Sequence, residues 1–452
     1  MHGTDRVADT DRANDRGSRL LLAAILLIWL SVSLPLVLGL ETLYYRDVFT
    51  THLHFKAFGA QELAAGRIPA FNTSWALGQP FRGNPNTLAF YPGNLLYLLL
   101  PFWSAFNLHY ALHWLLSFLT MRSLARELGQ GTLAALTAGL TYAGCGWMLA
   151  SLSFYNLLTV AAWWPLAMLG ASRGGRRGLA LGGLACGMAL LGGEPVTAML
   201  GMIPLLWVAI ERHGLKRGVV NGMVVGGVGL LIALPQLVAT LRVIGFTYRG
   251  AHGLPITDAG YSLHSVRLLE LLVSLPFGVP SELGSSRFWA TGIGNAPYFS
   301  SLYFGIVGLV LAIFAVSRRP RWLAPVLLGL GLAWLGGLFP GPLVTASAGL
   351  FRYPEKFLFW FALMSPLLVG WGVEDVGRCS LGLVWVALPS RRFRGEGSGR
   401  GQQRVVRRRT NHSAFRVLFA AIIRAAIPVS GFLVSALIGW HIDLSLTRNG
   451  HV

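Results

Sequence analysis

Long apolar runs separated by short polar connections dominate the chain. Most of these runs have about 20 residues, the length that a helix needs to cross a bilayer. The alternating ten-residue pattern of outer-membrane barrels is absent, and in lipid only helices or closed barrels satisfy the backbone. We therefore predict an all-α, polytopic transmembrane protein with about 11 spans. The predicted spans cover residues 20–40, 97–121, 132–151, 153–171, 178–193, 196–210, 219–240, 299–317, 322–339, 357–376 and 414–440.

Arginine and lysine residues cluster in alternate connections between these runs. By the positive-inside rule such connections are cytoplasmic, which predicts a cytoplasmic N-terminus and, with an odd number of spans, an outer C-terminus. Three long connections, at 41–96, 241–298 and 340–356, then lie on the outer side. Long loops in a compact protein are usually functional or disordered, and these loops are rich in aromatic and apolar residues rather than disorder-promoting ones. We therefore expect the site in these outer loops.

The ends of the chain have a different composition from the apolar runs. Residues 1–19 form a polar tail that we place in the cytoplasm, and 377–413 contain an Arg-rich, Gly-rich stretch typical of a flexible cytoplasmic linker. A final transmembrane helix at 414–440 and a C-terminal tail at 441–452 follow.

The overall composition agrees with a membrane protein. The chain of 452 residues is 54% hydrophobic and 12% charged, with a mean hydropathy of +0.57, too apolar for a soluble domain of this length. A net charge of +19 is compatible with nucleic-acid binding, but the basic residues sit in short loops where topology explains them. We therefore predict membrane lipid and no nucleic acid as a partner. The cysteines show no CxxC spacing and indicate neither disulfides nor a zinc site.

The first outer loop begins with a helical pattern. Phe49, Leu53, Ala57, Ala60 and Leu63 recur at helical spacing and predict an amphipathic helix whose apolar stripe lies along the membrane surface.

A second face of this predicted helix carries polar groups. Asp47, Thr51 and His54 stand at i, i+4 and i+7, so that a carboxylate and an imidazole could point together into a cavity. One interpretation makes Asp47 a helix N-cap or the ion-pair partner of Arg46. The other makes Asp47 a general base at the mouth of a membrane cavity, with His54 as its support.

A turn-rich run of amide and aromatic residues follows. Asn84, Asn86, Tyr91 and Asn94 belong to it, and amide groups and aromatic rings suit the hydroxyls and faces of a sugar or an acceptor. The alternative is that the aromatic residues anchor the chain at the interface and the asparagines form turns.

Several short motifs resemble one family. The stretches Tyr45-Arg46-Asp47, Gly66-Arg-Ile-Pro-Ala-Phe-Asn72, Gly78-Gln-Pro80, Asn84-Pro-Asn86 and Phe90-Tyr-Pro-Gly-Asn94 resemble the first loop of YfhO-type bacterial membrane proteins. The likeness continues in pieces through Gly192-Gly-Glu-Pro195, Tyr303-Phe-Gly305 and Phe351-Arg-Tyr-Pro-Glu-Lys-Phe357, and covers most of residues 20–376.

This resemblance implies a GT-C-like catalytic module over residues 20–376, in a multi-pass protein of the bacterial plasma membrane. Members of the GT-C glycosyltransferase class take a sugar from a polyprenyl-phosphate carrier and attach it to an acceptor on the outer face. The resemblance implies a transfer that inverts the anomeric centre of the sugar. The resemblance implies that Asp47 matches the catalytic carboxylate of the first outer loop. The Arg-rich stretch 391–409 is not a feature of the family.

Sugar transfer from a lipid phosphate needs a base and cations that stabilise the departing phosphate. Arg352 and Lys356 stand at i and i+4 in an outer loop and are the candidate phosphate-binding pair. The alternative is ordinary snorkelling of both side chains at a helix start. Glu194 lies in a short outer turn between two spans, where it is either a second carboxylate or a capped, solvated residue.

His109 and His113 at i and i+4 could ligate a metal, but a hydrogen-bonded polar pair between helices is the better interpretation. The first loop contains no Asp-x-Asp motif, so a divalent metal is not indicated and we predict no metal site and no required cofactor.

We thus predict a membrane glycosyltransferase with a polyprenyl-phosphate sugar as donor and an envelope glycan, lipid or protein as acceptor. The alternative is a transporter or flippase for a lipid-linked substrate, without covalent chemistry. Transporters typically carry ionisable residues in broken helices at the midplane, whereas the ionisable groups of this chain collect in the outer loops.

Overall fold

The computed structural model describes residues 2–75, 77–247, 263–277, 297–338 and 353–386, and all structural statements concern these ranges. Residues Met1–Val373 form one compact unit and Glu374–Val452 a second. Residues 377–386 of the predicted linker continue the helix Leu358–Val386, whereas 387–413, the final span 414–440 and the tail 441–452 lie outside the described residues.

Helices account for most of the described residues. Their bounds, numbered in chain order, are α1 His2–Val37, α2 Leu53–Ala64, α3 Leu96–Leu99, α4 Phe102–Glu127, α5 Thr132–Gly144, α6 Gly146–Ala150, α7 Tyr155–Arg173, α8 Gly175–Leu191, α9 Pro195–Leu200, α10 Met202–His213, α11 Leu215–Ile244, α12 Ile306–Val316, α13 Leu323–Leu338 and α14 Leu358–Val386. A π-helical turn lies at Val48–His52, and 3₁₀ turns lie at Pro85–Thr87, Pro92–Leu95, Ser151–Ser153, Ser265–Leu271, Pro320–Trp322 and Pro354–Phe357. Two short strands, β1 Phe71–Asn72 and β2 Gln79–Pro80, pair antiparallel with Phe71 opposite Pro80.

The apolar runs form helices as predicted, but the expected number of spans is not confirmed. In the described part of the chain, four helices are long and apolar enough to cross a membrane, namely Gly17–Val37, Pro195–His213, Leu215–Ile244 and Pro354–Arg378. A fifth would be the pair Thr132–Gly144 and Gly146–Ser153, which is bent by 41°. Helix α12 has 11 residues and would cover only about 17 Å, far less than the ~30 Å of hydrocarbon.

Small residues and very short connections hold the central helices together. Helix α7 ends at Arg173 and α8 begins at Gly175, so the two form a tight hairpin. Gly174 between them has a φ of 65°, a conformation that favours glycine. A Cβ at Gly170 would clash with the backbone of Gly182, which means that α7 and α8 approach each other through glycines. Helix α7 is almost completely buried among its neighbours.

Asn107 fixes the end of the first span and the start of the long loop after it. Its side chain is fully buried in α4, and its Nδ2 donates to the carbonyl oxygens of Leu36 at 2.9 Å and Glu41 at 2.8 Å. Its Oδ1 accepts from the hydroxyl of Thr42 at 2.8 Å. The loop therefore leaves the helices in one fixed direction.

The predicted helix of the first loop is present as α2, and the position of its apolar stripe along the membrane surface stays a prediction. The buried side chains around its start are His52, Phe55 and Lys56, while Phe49 is 53% exposed. A π-helical turn at Val48–His52 precedes this helix. One extra residue in a turn rotates every later side chain by about 100° relative to a regular helix.

One buried arginine connects the segments around α12 and α14. The guanidinium of Arg267 donates to Glu270 at 2.7 and 3.1 Å and to Glu355 at 2.5 Å, and all three residues are 1% exposed. It also donates to the carbonyl oxygen of Phe299, whose own N–H donates to Glu355. Residues 88 positions apart in the sequence are thereby held in one network.

We predict that Arg267→Leu lowers the free energy of unfolding by about 3–5 kcal/mol, because Glu270 and Glu355 would stay buried without their counter-charge. Thermal melting of the full chain in detergent micelles measures the effect. Arg217→Leu is the matched control, since Arg217 is exposed in α11 and should melt like the wild type. Equal melting temperatures for the two variants would contradict the structural role of Arg267.

Candidate functional site

Arg46 sets the position of Asp47 in the first long loop. Its φ of 55° is a left-handed conformation that costs a non-glycine residue about 1–2 kcal/mol. The guanidinium offsets this cost, because it donates to the carbonyl oxygens of Tyr298 at 2.7 Å and Pro297 at 3.1 Å and lies 5.1 Å from the ring centre of Phe154. The residue before Asp47 is thus attached to the segment that precedes α12.

The carboxylate of Asp47 accepts no hydrogen bond within the described ranges. Asp47 occupies the N-cap position of the π-helical turn, yet its side chain does not cap the turn. Arg46 points to backbone carbonyls instead and forms no ion pair with it there. Partial burial raises the pKa of Asp47, while the charges of Arg46 and Lys356 oppose this shift. The carboxylate of Asp47 is therefore half-buried, and its raised pKa favours uptake of a proton.

Lys356 and Glu194 form a buried ion pair. The Lys356 Nζ lies 2.6 Å from Glu194 Oε1, and the side chains are only 9% and 8% exposed. The ammonium also lies 5.3 and 5.2 Å from the ring centres of Tyr298 and Tyr353, which flank it with their negative faces. These two rings stack on each other at 5.2 Å.

Glu194 is bound through both of its oxygens. Oε2 accepts from the N–H of Thr197 at 2.6 Å and caps the start of α9, while Oε1 accepts from Lys356. Burial raises the pKa of Glu194, but the Lys356 charge and these hydrogen bonds outweigh burial, and the net pKa lies below its usual value. Glu194 is thus ionised, and the turn that holds it is buried, not solvated.

Three segments that are distant in sequence therefore meet in one electrostatic neighbourhood. Asp47 comes from the first loop, Glu194 from the turn between α8 and α9, and Lys356 from the 3₁₀ turn before α14. The Lys356 charge acts on both carboxylates. Such an arrangement pairs a proton acceptor with a fixed positive charge, which is what a reaction with a departing anion requires.

His54 does not join Asp47 as the helical spacing predicts. It is exposed and packs against the rings of Trp75 at 5.1 Å and Phe49 at 6.0 Å. The π-helical turn between Asp47 and His54 rotates the histidine away. His52 takes the inward position instead and stacks on Tyr155 at 6.0 Å.

The amide and aromatic residues of the turn-rich run are bound to protein groups. Asn84 Oδ1 accepts from the N–H of Asn86, and Asn86 Oδ1 accepts from Asn156 at 2.9 Å. The Tyr91 hydroxyl accepts from Trp163 Nε1 at 2.9 Å, and Asn94 donates to the carbonyl oxygens of Leu88 and Ala89. The contacts of Asn84 and Asn94 are turn contacts, whereas those of Asn86 and Tyr91 reach α7. A sugar contact for the run stays a prediction.

Lys56 is a buried cation that sequence analysis missed. It is 3% exposed, and its Nζ donates to Asn94 Oδ1 at 2.7 Å and to the carbonyl oxygen of Thr87 at 3.0 Å. The ammonium lies 4.8 Å from the ring centre of Tyr155. Burial lowers the pKa of Lys56 to about 7. Its signal in the sequence was weak: a single lysine at i+4 from His52 in an apolar helix.

His109 and His113 form the hydrogen-bonded polar pair that the sequence favours. Thr159 donates its hydroxyl proton to the carbonyl oxygen of Tyr155, so the 2.6 Å contact between His109 Nε2 and Thr159 is a donation by the histidine. His113 Nδ1 donates to the carbonyl oxygen of His109, and His113 Nε2 accepts from the Tyr91 hydroxyl at 2.6 Å.

Two predictions about the site are left without a structural test. Arg352, predicted to bind phosphate beside Lys356, lies outside the described residues. Within those residues no group of three or more His, Cys, Asp or Glu side chains could hold a metal ion.

The chain shows little similarity to known proteins. No protein-family model matches the chain, and no curated protein matches it. A solved structure with similarity to it is the archaeal oligosaccharyltransferase AglB from Archaeoglobus fulgidus, in complex with an inhibitory peptide and a dolichol-phosphate. The TM-score is 0.42 at 15% identity, over 92% of this chain and 55% of that chain, so this chain spans about half the length of AglB. We draw no argument from so distant a likeness, and the resemblance to YfhO-type proteins stays a prediction.

We predict that Lys56 makes the protein more stable as the pH rises above 7. Between the folded pKa of about 7 and the ordinary value of 10.5, the unfolded chain binds more protons than the folded chain. The free energy of unfolding therefore gains up to about 1.4 kcal/mol per pH unit in this window.

Melting temperatures of wild type and Lys56→Met between pH 7 and pH 9 test this effect. The wild type should gain stability relative to the variant as the pH rises. Lys216→Met, which removes an exposed lysine of α11, should follow the wild type at every pH. A constant difference between wild type and Lys56→Met would contradict the prediction.

Proposed function

We propose that this protein is a GT-C-like membrane glycosyltransferase that moves a sugar from a polyprenyl-phosphate carrier to a cell-envelope acceptor on the outer face. The observation that carries the proposal is the meeting of Asp47, Glu194 and Lys356 at one electrostatic site. Glu194 and Lys356 are bound to each other, and the carboxylate of Asp47 accepts no hydrogen bond from the described residues. The motifs of the first loop that resemble YfhO-type proteins support the same activity.

Asp47 is the general base in this proposal. Its carboxylate takes the proton of the acceptor hydroxyl while that oxygen forms a bond to the anomeric carbon of the sugar. The bond between this carbon and the phosphate oxygen breaks, and its electron pair leaves with the polyprenyl phosphate. Attack from the side opposite the phosphate inverts the anomeric centre. The raised pKa of Asp47 suits the role, since a base works best with a pKa near the working pH.

Lys356 stabilises the departing phosphate in this proposal. An ammonium has three donors, and within the described residues only Glu194 accepts one of them. The remaining donors can meet phosphate oxygens as their negative charge grows. Arg352 is the predicted second cation of this phosphate site.

Glu194 is a positioning residue and not a second base in this proposal. Both of its oxygens are in use, one on the helix cap and the other on Lys356, and its lowered pKa makes it a poor proton acceptor. It holds the ammonium at a fixed place without taking part in proton transfer.

The partners of the reaction follow from the same proposal. The donor is a lipid-linked sugar, and the acceptor is an envelope glycan, lipid or protein. The protein itself sits in the bacterial plasma membrane with the Asp47 loop on the outer side, and the chemistry described here requires no cofactor.

We predict that Asp47→Asn lowers sugar transfer by at least about 100-fold, because the amide cannot take the hydroxyl proton while its shape is preserved. The measurement is transfer of a radiolabelled sugar from polyprenyl phosphate to extracted envelope material by purified full-length protein in liposomes. The melting temperature of the variant should equal that of the wild type, since Asp47 accepts no hydrogen bond among the described residues.

Glu62→Gln is the matched control, because Glu62 lies in the same loop but pairs with the exposed Arg67. It should transfer sugar like the wild type. Undiminished transfer by Asp47→Asn would refute the assignment of the base. Movement of a labelled lipid-linked sugar across the liposome membrane without any transfer would favour the transporter alternative.

A further inference from the structure

We propose that a groove between the first long loop and α11 binds the headgroup of an anionic phospholipid of the bilayer. The groove has a volume of about 250 Å³, and two arginines, Arg82 and Arg242, line it together with apolar residues that include Pro235, Val238 and Ala239. None of these residues belongs to the Asp47 site, so the inference stands whether or not the protein transfers a sugar.

The first loop is fixed against α11 at this groove. A Cβ at Gly83 would lie 3.1 Å from the carbonyl oxygen of Ala239 and would clash with the side chain of Val243, so the loop backbone touches the helix directly. Gln236, which is 4% exposed, donates through Nε2 to the carbonyl oxygen of Arg82 at 3.0 Å. Arg82 is therefore held beside the helix that carries Arg242.

The groove carries positive charge only. Its lining contains the two arginines and no acidic residue. Both arginines are exposed, and neither guanidinium forms an ion pair or a hydrogen bond with any residue that the structure describes. Planar guanidinium groups donate in pairs to phosphate oxygens, so two of them at one groove suit a phosphate better than a neutral polar group.

The depth of the groove favours a phosphate that is attached to a lipid. Arg242 lies in the last turn of α11, a candidate membrane span of 30 residues. This length corresponds to about 45 Å, more than the ~30 Å of hydrocarbon, so an end of the helix reaches the headgroup region. In the turns of α11 that precede Arg242, the exposed fractions of Leu234, Val238 and Leu241 are 50%, 39% and 69%. Acyl chains can cover this apolar surface, whereas a free phosphate ion would leave it uncovered.

Native mass spectrometry of the delipidated full-length protein tests the proposal with three probes: phosphatidylglycerol, phosphatidylcholine and inorganic phosphate. Phosphatidylglycerol should give a saturable adduct of one lipid per chain. The double variant Arg82→Gln/Arg242→Gln should weaken this binding about tenfold or more, since each cation near a headgroup contributes about 1 kcal/mol. Phosphatidylcholine, whose choline neutralises the phosphate, should bind more weakly.

The matched control is Arg212→Gln/Arg217→Gln, which removes two exposed arginines near the opposite end of α11 and should bind phosphatidylglycerol like the wild type. Equal melting temperatures of the lipid-free variants will show that folding is unchanged. Equal lipid binding by the two double variants would overturn the proposal, and so would equal binding of the two phospholipids. Binding of inorganic phosphate that depends on Arg82 and Arg242, without a phosphatidylglycerol adduct, would assign the groove to a free anion and overturn the lipid claim.

Discussion

The guanidinium of Arg267 binds two carboxylates, Glu270 and Glu355, in a region where water does not reach any of the three. Removing charged groups from water costs several kcal/mol per ion, and only close pairing with further hydrogen bonds can repay that cost. Here the backbone completes the network, because the N–H groups of Phe299 and Leu302 donate to the two carboxylates. The arrangement therefore tolerates little displacement of the segments that contribute to it.

The candidate site depends on this network through sequence neighbours. Glu355 precedes Lys356, and Phe299 follows Tyr298, whose ring flanks the Lys356 ammonium. The carbonyl of Tyr298 in turn accepts from Arg46, which fixes the backbone before Asp47. The residues around the site are themselves hydrogen-bonded, so the site keeps its geometry although none of them binds the reactive carboxylate of Asp47. Asp47 therefore carries no hydrogen bond from the described residues, although it lies beside residues that are tightly bound.

The sequence predicted what local patterns determine. Apolar runs and short connections led to the helices. Asp47 was selected from a polar helix face and the family resemblance, Glu194 from its short outer turn, and Lys356 from its i, i+4 spacing to Arg352. Sequence analysis could not find the pairing of Arg267 with Glu355, since 88 residues separate them and no local pattern indicates such a contact. It also placed His54 rather than His52 and Lys56 on the inner face, because a π-helical turn is invisible to a rule of 3.6 residues per turn.

The most direct test of the central claim is a cryo-electron microscopy structure of the full chain with a phosphonate analogue of a polyprenyl-phosphate sugar, which cannot transfer its sugar. Our account predicts phosphonate density within hydrogen-bonding distance of the Lys356 ammonium and the anomeric carbon facing the carboxylate of Asp47. A phosphonate group bound elsewhere, with Lys356 still paired to Glu194 alone, would contradict it.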